Sequence, residues 1–252
     1  MKAVILCAGY ATRMYPLTKD FPKPLLKIAD RPVLDYLVDQ IIGLPSIESI
    51  HIVSNARFYD HFIQWQRDHD ERGTFGKRTV RIHSDGSTAN DNRLGAIADL
   101  QLALNSFDSP GRILVSGGDN IYRFPLKPLW ETFLQNKHHY IVGLAEKNKE
   151  NLKNTGILEF NESSRVLRLH EKPEQPLSNW ICPPLYFFQP SVWTQLNNFL
   201  ATSGNGDAPG YFIDYLCQQE TVEAFRLNSS RLDIGSLETY RQADQQMRQE
   251  LV

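Results

Sequence analysis

The chain has 252 residues, with 27 Lys plus Arg against 29 Asp plus Glu, a formal net charge of −2 and 41% hydrophobic residues. That is ample for a buried core and excludes a disordered chain. The near-neutral charge supplies no cationic field for holding nucleic acid or an anionic membrane, so a phosphate ligand would have to be met by local residues.

The three cysteines, Cys7, Cys182 and Cys217, are widely spaced, with no CxxC pair and no Cys/His metal spacing. They read as buried thiols of a reduced, cytoplasmic protein. No apolar run approaches the roughly 18–20 residues of a membrane span, and Ala3–Ala8 is too short for a signal h-region. In chain order, residues 2–8 (KAVILCA) read as a buried strand. Pro32 marks a helix start, followed by Leu34, Leu37, Val38, Ile41 and Ile42 at helical spacing. A strand at 49–54, a helix over about 57–69 and a strand at 79–83 come next. A further helix presents Leu94, Ile97, Leu100 and Leu104 on one side, and the apolar run 112–116 ends in Gly117, Gly118 and Asp119.

This alternation is the pattern of βαβ units and a mainly parallel sheet, so the loops at 9–23, 84–95 and 117–122 fall at the strands' carboxyl ends, where open α/β sheets bind ligands in a cleft. The second half changes to antiparallel-looking runs at 155–160, 165–170 and 181–188, an α+β lobe completing the same domain. Residues 203–209 (SGNGDAP) read as a loop, and a last helix runs from about Ser236 to Glu250 with a serine cap.

Chemistry concentrates after the first strand. The loop CAGYATRMYPLT (Cys7–Thr18) opens in small residues that let backbone N–H groups approach a phosphate, and Arg13 and Lys23 add positive charge. It is neither a Walker A loop nor a GxGxxG fingerprint. Singly, Gly9 reads as a tight turn and Arg13 or Lys23 as surface charge; together in one loop they point to phosphate. An isolated Asp after a strand, as at Asp119, more often caps a turn. Tyr186, Phe187 and Phe188 read as core, and the histidines as packing or surface residues without metal spacing.

LCAGYATRM (Leu6–Met14) with PKPLL (Pro22–Leu26) resembles the nucleotide-binding signature of the sugar-1-phosphate nucleotidyltransferases. Further matches follow in order: LGAIADL from Leu94, Gly118-Asp119-Asn120, TGILEF from Thr155, Glu171-Lys172-Pro173, SNWIC from Ser178, LYFF from Leu185 and DIGSLETY from Asp233. The similarity spans nearly the whole chain. It implies a Rossmann-like nucleotidyltransferase fold, with a mixed, mostly parallel central sheet flanked by helices and a small antiparallel sugar-binding lobe. One domain over 1–252 would have a nucleotide-binding half at 1–125 and a sugar-phosphate-binding half at 126–252. The implied reaction is NTP + sugar 1-phosphate → NDP-sugar + pyrophosphate.

The resemblance also implies the roles. Leu6, Ala8, Gly9, Tyr10, Ala11, Thr12, Arg13, Lys23, Asn90 and Gly95 would bind the nucleotide, and Arg13, Lys23 and Asp119 would be catalytic. Gly156, Glu171, Lys172, Asn179 and Tyr186 would bind the sugar phosphate, and Asp119 and Asp233 would hold Mg²⁺. The expected partners are a nucleoside triphosphate and a sugar 1-phosphate, with no nucleic acid and no membrane; a homo-oligomer is left open. The short stretch after Tyr240 leads to the expectation that no left-handed β-helix domain follows.

Departures from the family pattern concern selectivity. Ala8 and Ala11 replace two usual loop glycines, Asn90 stands where a glutamine is common, and Pro184 replaces a glycine before Leu185-Tyr186. The Gly118-Asp119-Asn120 and Glu171-Lys172-Pro173 elements lean toward dTTP or UTP. The alternatives are a cytidylyl- or guanylyltransferase acting on a sugar or alcohol phosphate, or a catalytically silent, nucleotide-binding regulatory subunit. A glycosyltransferase would need an Asp-x-Asp that GDNIY (Gly118–Tyr122) does not provide.

Overall fold

The computed structural model describes residues 1–203 and 206–250, so part of the 203–209 segment, read above as a loop, lies outside the described residues. In chain order the first half contains β1 (Lys2–Leu6), β2 (Lys27–Ile28), β3 (Arg31–Pro32), α1 (Val33–Ile42), β4 (Ser49–Ser54), α2 (Tyr59–Glu71), β5 (Thr79–Ser84), α3 (Ala96–Asn105), β6 (Ile113–Gly117), β7 (Asn120–Tyr122) and α4 (Leu126–Gln135). The second contains β8 (His139–Ala145), α5 (Lys149–Lys153), β9 (Gly156–Phe160), β10 (Val166–Glu171), β11 (Trp180–Ile181), β12 (Leu185–Phe188), α6 (Val192–Ser203), α7 (Pro209–Gln219), β13 (Val222–Leu227), β14 (Arg231–Asp233) and α8 (Leu237–Glu250).

One ten-stranded sheet runs in the order β10-β9-β11-β8-β12-β6-β1-β4-β5, with β13 paired to β8. β6, β1, β4 and β5 are mutually parallel. β12 is antiparallel to both β6 and β8, and β11, β9 and β10 continue antiparallel beyond them. The antiparallel strands expected in the second half thus extend the central sheet itself. Two small antiparallel pairs, β2–β3 and β7–β14, stand apart from it.

Alternating side chains along β1 feed two cores. Ala3 and Ile5 face a cluster with Leu37, Ile41, Phe62 and Trp130. Val4 faces Ile97, Leu100, Phe188 and Phe212 on the other side. A smaller cluster joins Met14, Ile28 and Val33 to Ile234 and Ala243 under α8.

Three expectations shift. The first strand stops at Leu6, two residues short, because the chain then turns off the sheet, where the Asn55 amide donates to the Ala8 carbonyl at 3.0 Å. Leu94 is outside α3 and exposed, because Gly95 at φ 92° breaks the helical path before Ala96. Cys182 is only half-buried, unlike Cys7 and Cys217.

Candidate active site

After β1 the backbone enters the left-handed region at Ala11 (φ 47°, ψ 43°), then makes a 3₁₀ turn over Thr12–Met14. A non-glycine residue there is strained. Two bonds hold it: the Thr18 hydroxyl and the Met14 N–H both donate to the Ala11 carbonyl, at 2.8 and 2.9 Å. Met14 is fully buried beneath the loop, which leaves Arg13 exposed above it. Lys23 comes from a second 3₁₀ turn, Lys23–Leu25, stiffened by Pro22 before it and Pro24 within it.

Asp119 follows β6, whose Gly117–Gly118 step allows close packing. A Cβ at Gly118 would collide with the Cys7 sulfur, and one at Gly117 would lie 3.0 Å from Pro184 Cγ. The Gly118 N–H donates to the Leu6 carbonyl at 3.0 Å, fixing this loop beside the phosphate loop. The Lys23 ammonium donates to Asp119 Oδ2, and the Asn120 amide donates to Oδ1 at 2.7 Å. Burial by itself would raise the Asp119 carboxyl; Lys23 first, and then Arg231, outweigh it and hold the group below its ordinary range.

Asp233 reaches the same place through β14, which pairs antiparallel with β7 in the register Asp233↔Asn120 and Arg231↔Tyr122. Residues more than a hundred positions apart are thereby set side by side. The Tyr122 hydroxyl donates to the Pro184 carbonyl at 3.0 Å and ties this small sheet to β12.

A cavity of about 240 Å³ gathers Arg13, Lys23, Asp119, Asn120, Gly156, Glu171, Tyr186, Arg231 and Asp233. It opens onto a larger polar space of about 550 Å³ that shares Arg13, Asn154, Thr155, Arg231, Asp233 and Gly235 and extends along α8. Glu171 sits deep at the second-half wall, its carboxyl raised by burial against the weaker opposing pull of Lys172. Gly210 makes room for it, because a Cβ there would collide with Glu171 Oε2. Lys172, at φ 46°, holds its ammonium 3.9 Å from Glu171 Oε1 and is largely exposed.

Seven expected residues therefore line the smaller cavity: Arg13, Lys23, Asp119, Gly156, Glu171, Tyr186 and Asp233. Lys172 borders it through Glu171. The side chain of Tyr10 is turned inward, 2% exposed and within 3.2 Å of the Ser87 hydroxyl, which leaves its backbone for a ligand. Leu6, Ala8, Gly9, Ala11 and Thr12 form the strand end and loop beside the cleft but line neither cavity. The 84–95 segment contributes nothing to either cavity, so only two of the three carboxyl-end loops meet there. Asn90 begins a 3₁₀ turn in that segment, and Gly95 packs against the backbone of Gly206 and Asp207. Asn179 is exposed and engages the cleft wall only through its carbonyl, which accepts from the Glu146 N–H at 2.8 Å.

Arg231, which carries little signal in the sequence, is the most enclosed cation of the cleft wall together with Lys23, at 10% and 14% side-chain exposure. Its only sequence signal is a position two residues before Asp233. Asn120, Asn154, Thr155 and Gly210 also line the smaller cavity, with no role that the sequence alone assigns to them.

Divalent cations of the Mg²⁺ type take oxygen ligands, usually one or two carboxylates completed by phosphate and water. Asp119 and Asp233 fit that donor set. Among the described residues there is no group of three or more His, Cys, Asp or Glu side chains that could hold a metal ion.

The profile of the nucleotidyl transferase family matches residues 2–250. The chain is 26% identical over 252 residues to the UTP–glucose-1-phosphate uridylyltransferase AglF of Haloferax volcanii, covering 99% of this chain and 98% of that one. It is 26% identical over 236 residues to the bifunctional protein GlmU of Methanocaldococcus jannaschii, covering 93% of this chain and 51% of that one. The chain thus spans about half the length of several curated relatives. A solved UDP-glucose pyrophosphorylase complexed with UDP-glucose superposes with a TM-score of 0.82 at 19% identity, covering 99% and 98% of the two chains, and so shares the fold. On this profile match, carried by a fold and a cleft that agree with it, the chain belongs to the nucleotidyl transferase family.

Proposed function

We propose that this protein joins a nucleoside triphosphate to a sugar 1-phosphate, releasing pyrophosphate and an NDP-sugar. The observation that carries this reading is the contact of Lys23 with Asp119 in a cavity that also contains Arg13 and Asp233.

The attacking group is a phosphate monoester whose second pKa is about 6, so it is ionised near neutrality and needs no protein base. What remains is in-line placement and neutralisation of charge on the α-phosphate and the leaving pyrophosphate. The backbone N–H groups of the Ala8–Thr12 loop and Arg13 hold the β- and γ-phosphates, and Lys23 moves from Asp119 onto the phosphates near the reacting centre. Lys172 binds the sugar phosphate, and Glu171 accepts hydrogen bonds from sugar hydroxyls. Asp119 and Asp233 would hold Mg²⁺, which when bound supplies positive charge beside the α-phosphate.

The chain's own charges argue for that extra cation. Arg13, Lys23 and Arg231 face Asp119, Asp233 and Glu171 in the cavity, a neutral set that must accept two polyanionic substrates. Residues 1–125 supply the nucleotide side and 126–252 the sugar side, with Asp233 crossing over through the β7–β14 pair. We further infer dTTP or UTP as the nucleotide, a cytoplasmic setting and no nucleic-acid or membrane partner; among the described residues no helix is long and apolar enough to cross a membrane.

The test is pyrophosphate release with Mg²⁺, crossing dTTP, UTP, CTP and GTP with a panel of sugar 1-phosphates and several alcohol phosphates. Turnover for one pair is expected. Silence throughout, with nucleotide binding intact, would instead favour a regulatory subunit.

A further inference from the structure

In the cleft each carboxylate proposed for the metal is matched by a cation. Asp119 accepts from Lys23, and Asp233 Oδ2 accepts from an Arg231 Nη at 3.3 Å. The second Nη of Arg231 donates to the side-chain oxygen of Asn120, which is 1% exposed and is itself bonded to Asp119. The guanidinium is only 10% exposed, whereas its Asp233 partner is 49% exposed. It therefore links the two acidic positions, Asp233 directly and Asp119 through Asn120, on a strand whose register with β7 fixes its place, and it faces both cavities.

We propose that Arg231 is a positioning residue that keeps the Asp119–Asp233 site closed to a bare divalent cation and makes metal uptake depend on nucleotide. This deepens the reading of the cleft given above and rests on it. Lys23, Asp119, Asp233 and Arg231 sum to zero charge, so an ion arriving alone gains no net attraction and must displace or sit beside a guanidinium. A nucleoside triphosphate reverses this. Its phosphates would draw Lys23 and Arg231 away from the carboxylates and add oxygens of their own, leaving Asp119 and Asp233 free to hold the ion together with phosphate. The benefit to the reaction is that the ion enters only in register with the phosphates it must neutralise. By linkage, the factor by which nucleotide tightens metal binding is the factor by which metal tightens nucleotide binding.

Calorimetric titration of Mn²⁺ into the full chain, with and without a non-hydrolysable NTP analogue, tests this. The wild type is expected to bind Mn²⁺ at least about tenfold more tightly with the analogue present. A unit charge some 6 Å from a divalent ion weakens its binding about tenfold even at the dielectric constant of water. Arg231→Met should therefore tighten nucleotide-free Mn²⁺ binding by about that factor and shrink the coupling equally, while Arg231→Lys stays close to wild type. Unchanged or weaker nucleotide-free binding in a folded Arg231→Met chain overturns the proposal. Should that variant lose its circular-dichroism signature, Arg231→Gln, which keeps a donor for Asn120, is read by the same criterion. The Asp119→Asn/Asp233→Asn double variant separates the two levels: if Mn²⁺ still binds its nucleotide complex as in wild type, the metal site itself is misassigned. Loss there with no effect of Arg231→Met overturns the Arg231 proposal alone.

Discussion

Two aspartates of the first half lie in contrasting surroundings. Asp119, at the end of β6, has Lys23 on one oxygen and Asn120 on the other, and its carboxyl is held below the usual range. Asp99, one turn into α3, is 6% exposed, its Oδ1 has no hydrogen-bond partner, and burial with the nearby Asp85 pushes it up to about 7. Withdrawal from water acts on both carboxyls in the same direction. What separates them is a cation delivered by the rigid Pro22-Lys23-Pro24 segment, and that difference keeps Asp119 ionised, as the proposed metal role requires.

Removing the cation should erase the contrast most strongly. Lys23→Met is expected to lower kcat by about 10³-fold, the upper end of losing one preorganised electrostatic stabiliser; single-turnover kinetics with the active substrate pair would check it. Removing the charge on the anion should act next. Asp119→Asn and Asp233→Asn each lower kcat by at least about 10²-fold, and near-wild-type turnover in both would remove the metal assignment. On the opposite wall, Lys172→Ala should weaken sugar-phosphate binding about tenfold or more, the scale of a charge-assisted hydrogen bond, and leave NTP affinity almost intact. Calorimetry showing the reverse would place Lys172 on the nucleotide side.

The smallest effect sharpens the other half of the contrast. Between about pH 4 and 7 folded Asp99 keeps a proton that the unfolded chain has released, so its contribution to stability is present below the unfolded value of 3.8 and is lost as pH rises through about 7. Asp99→Ala should therefore raise Tm at pH 8 by about 2–6 °C and change it little at pH 4. Equal shifts at both pH values would show that Asp99 is not titrating there.

Much of this architecture was legible because it is local. Pro32 and the spacing of Leu34, Leu37, Val38 and Ile41 match α1, and the apolar runs match β1, β4, β5 and β6. Arg13, Lys23, Asp119, Glu171 and Asp233 stand in contiguous motifs, so the resemblance could carry each to a position. Other features depend on partners distant in the chain. Arg231 becomes a cleft residue only through the pairing of β14 with β7, 111 positions away from the Asn120 it bonds. Gly210 has its meaning from Glu171, and Gly95 from Gly206. Leu94 fitted a helical stripe that the positive φ of Gly95 interrupts. For Asn179 the resemblance implied a sugar-phosphate contact, whereas the residue, just before β11, is exposed and its carbonyl accepts from the Glu146 N–H.

The most direct measurement follows isotope through the reaction. A sugar 1-phosphate carrying ¹⁸O in its three non-bridging phosphate oxygens is turned over with the matching NTP, and both products are weighed by mass spectrometry. Attack by the sugar phosphate on the α-phosphorus, arranged by Lys23, Asp119 and Asp233, predicts that all three labels stay in the NDP-sugar and none enters pyrophosphate. Label in the released phosphate product, or an unlabelled NDP-sugar, would contradict it.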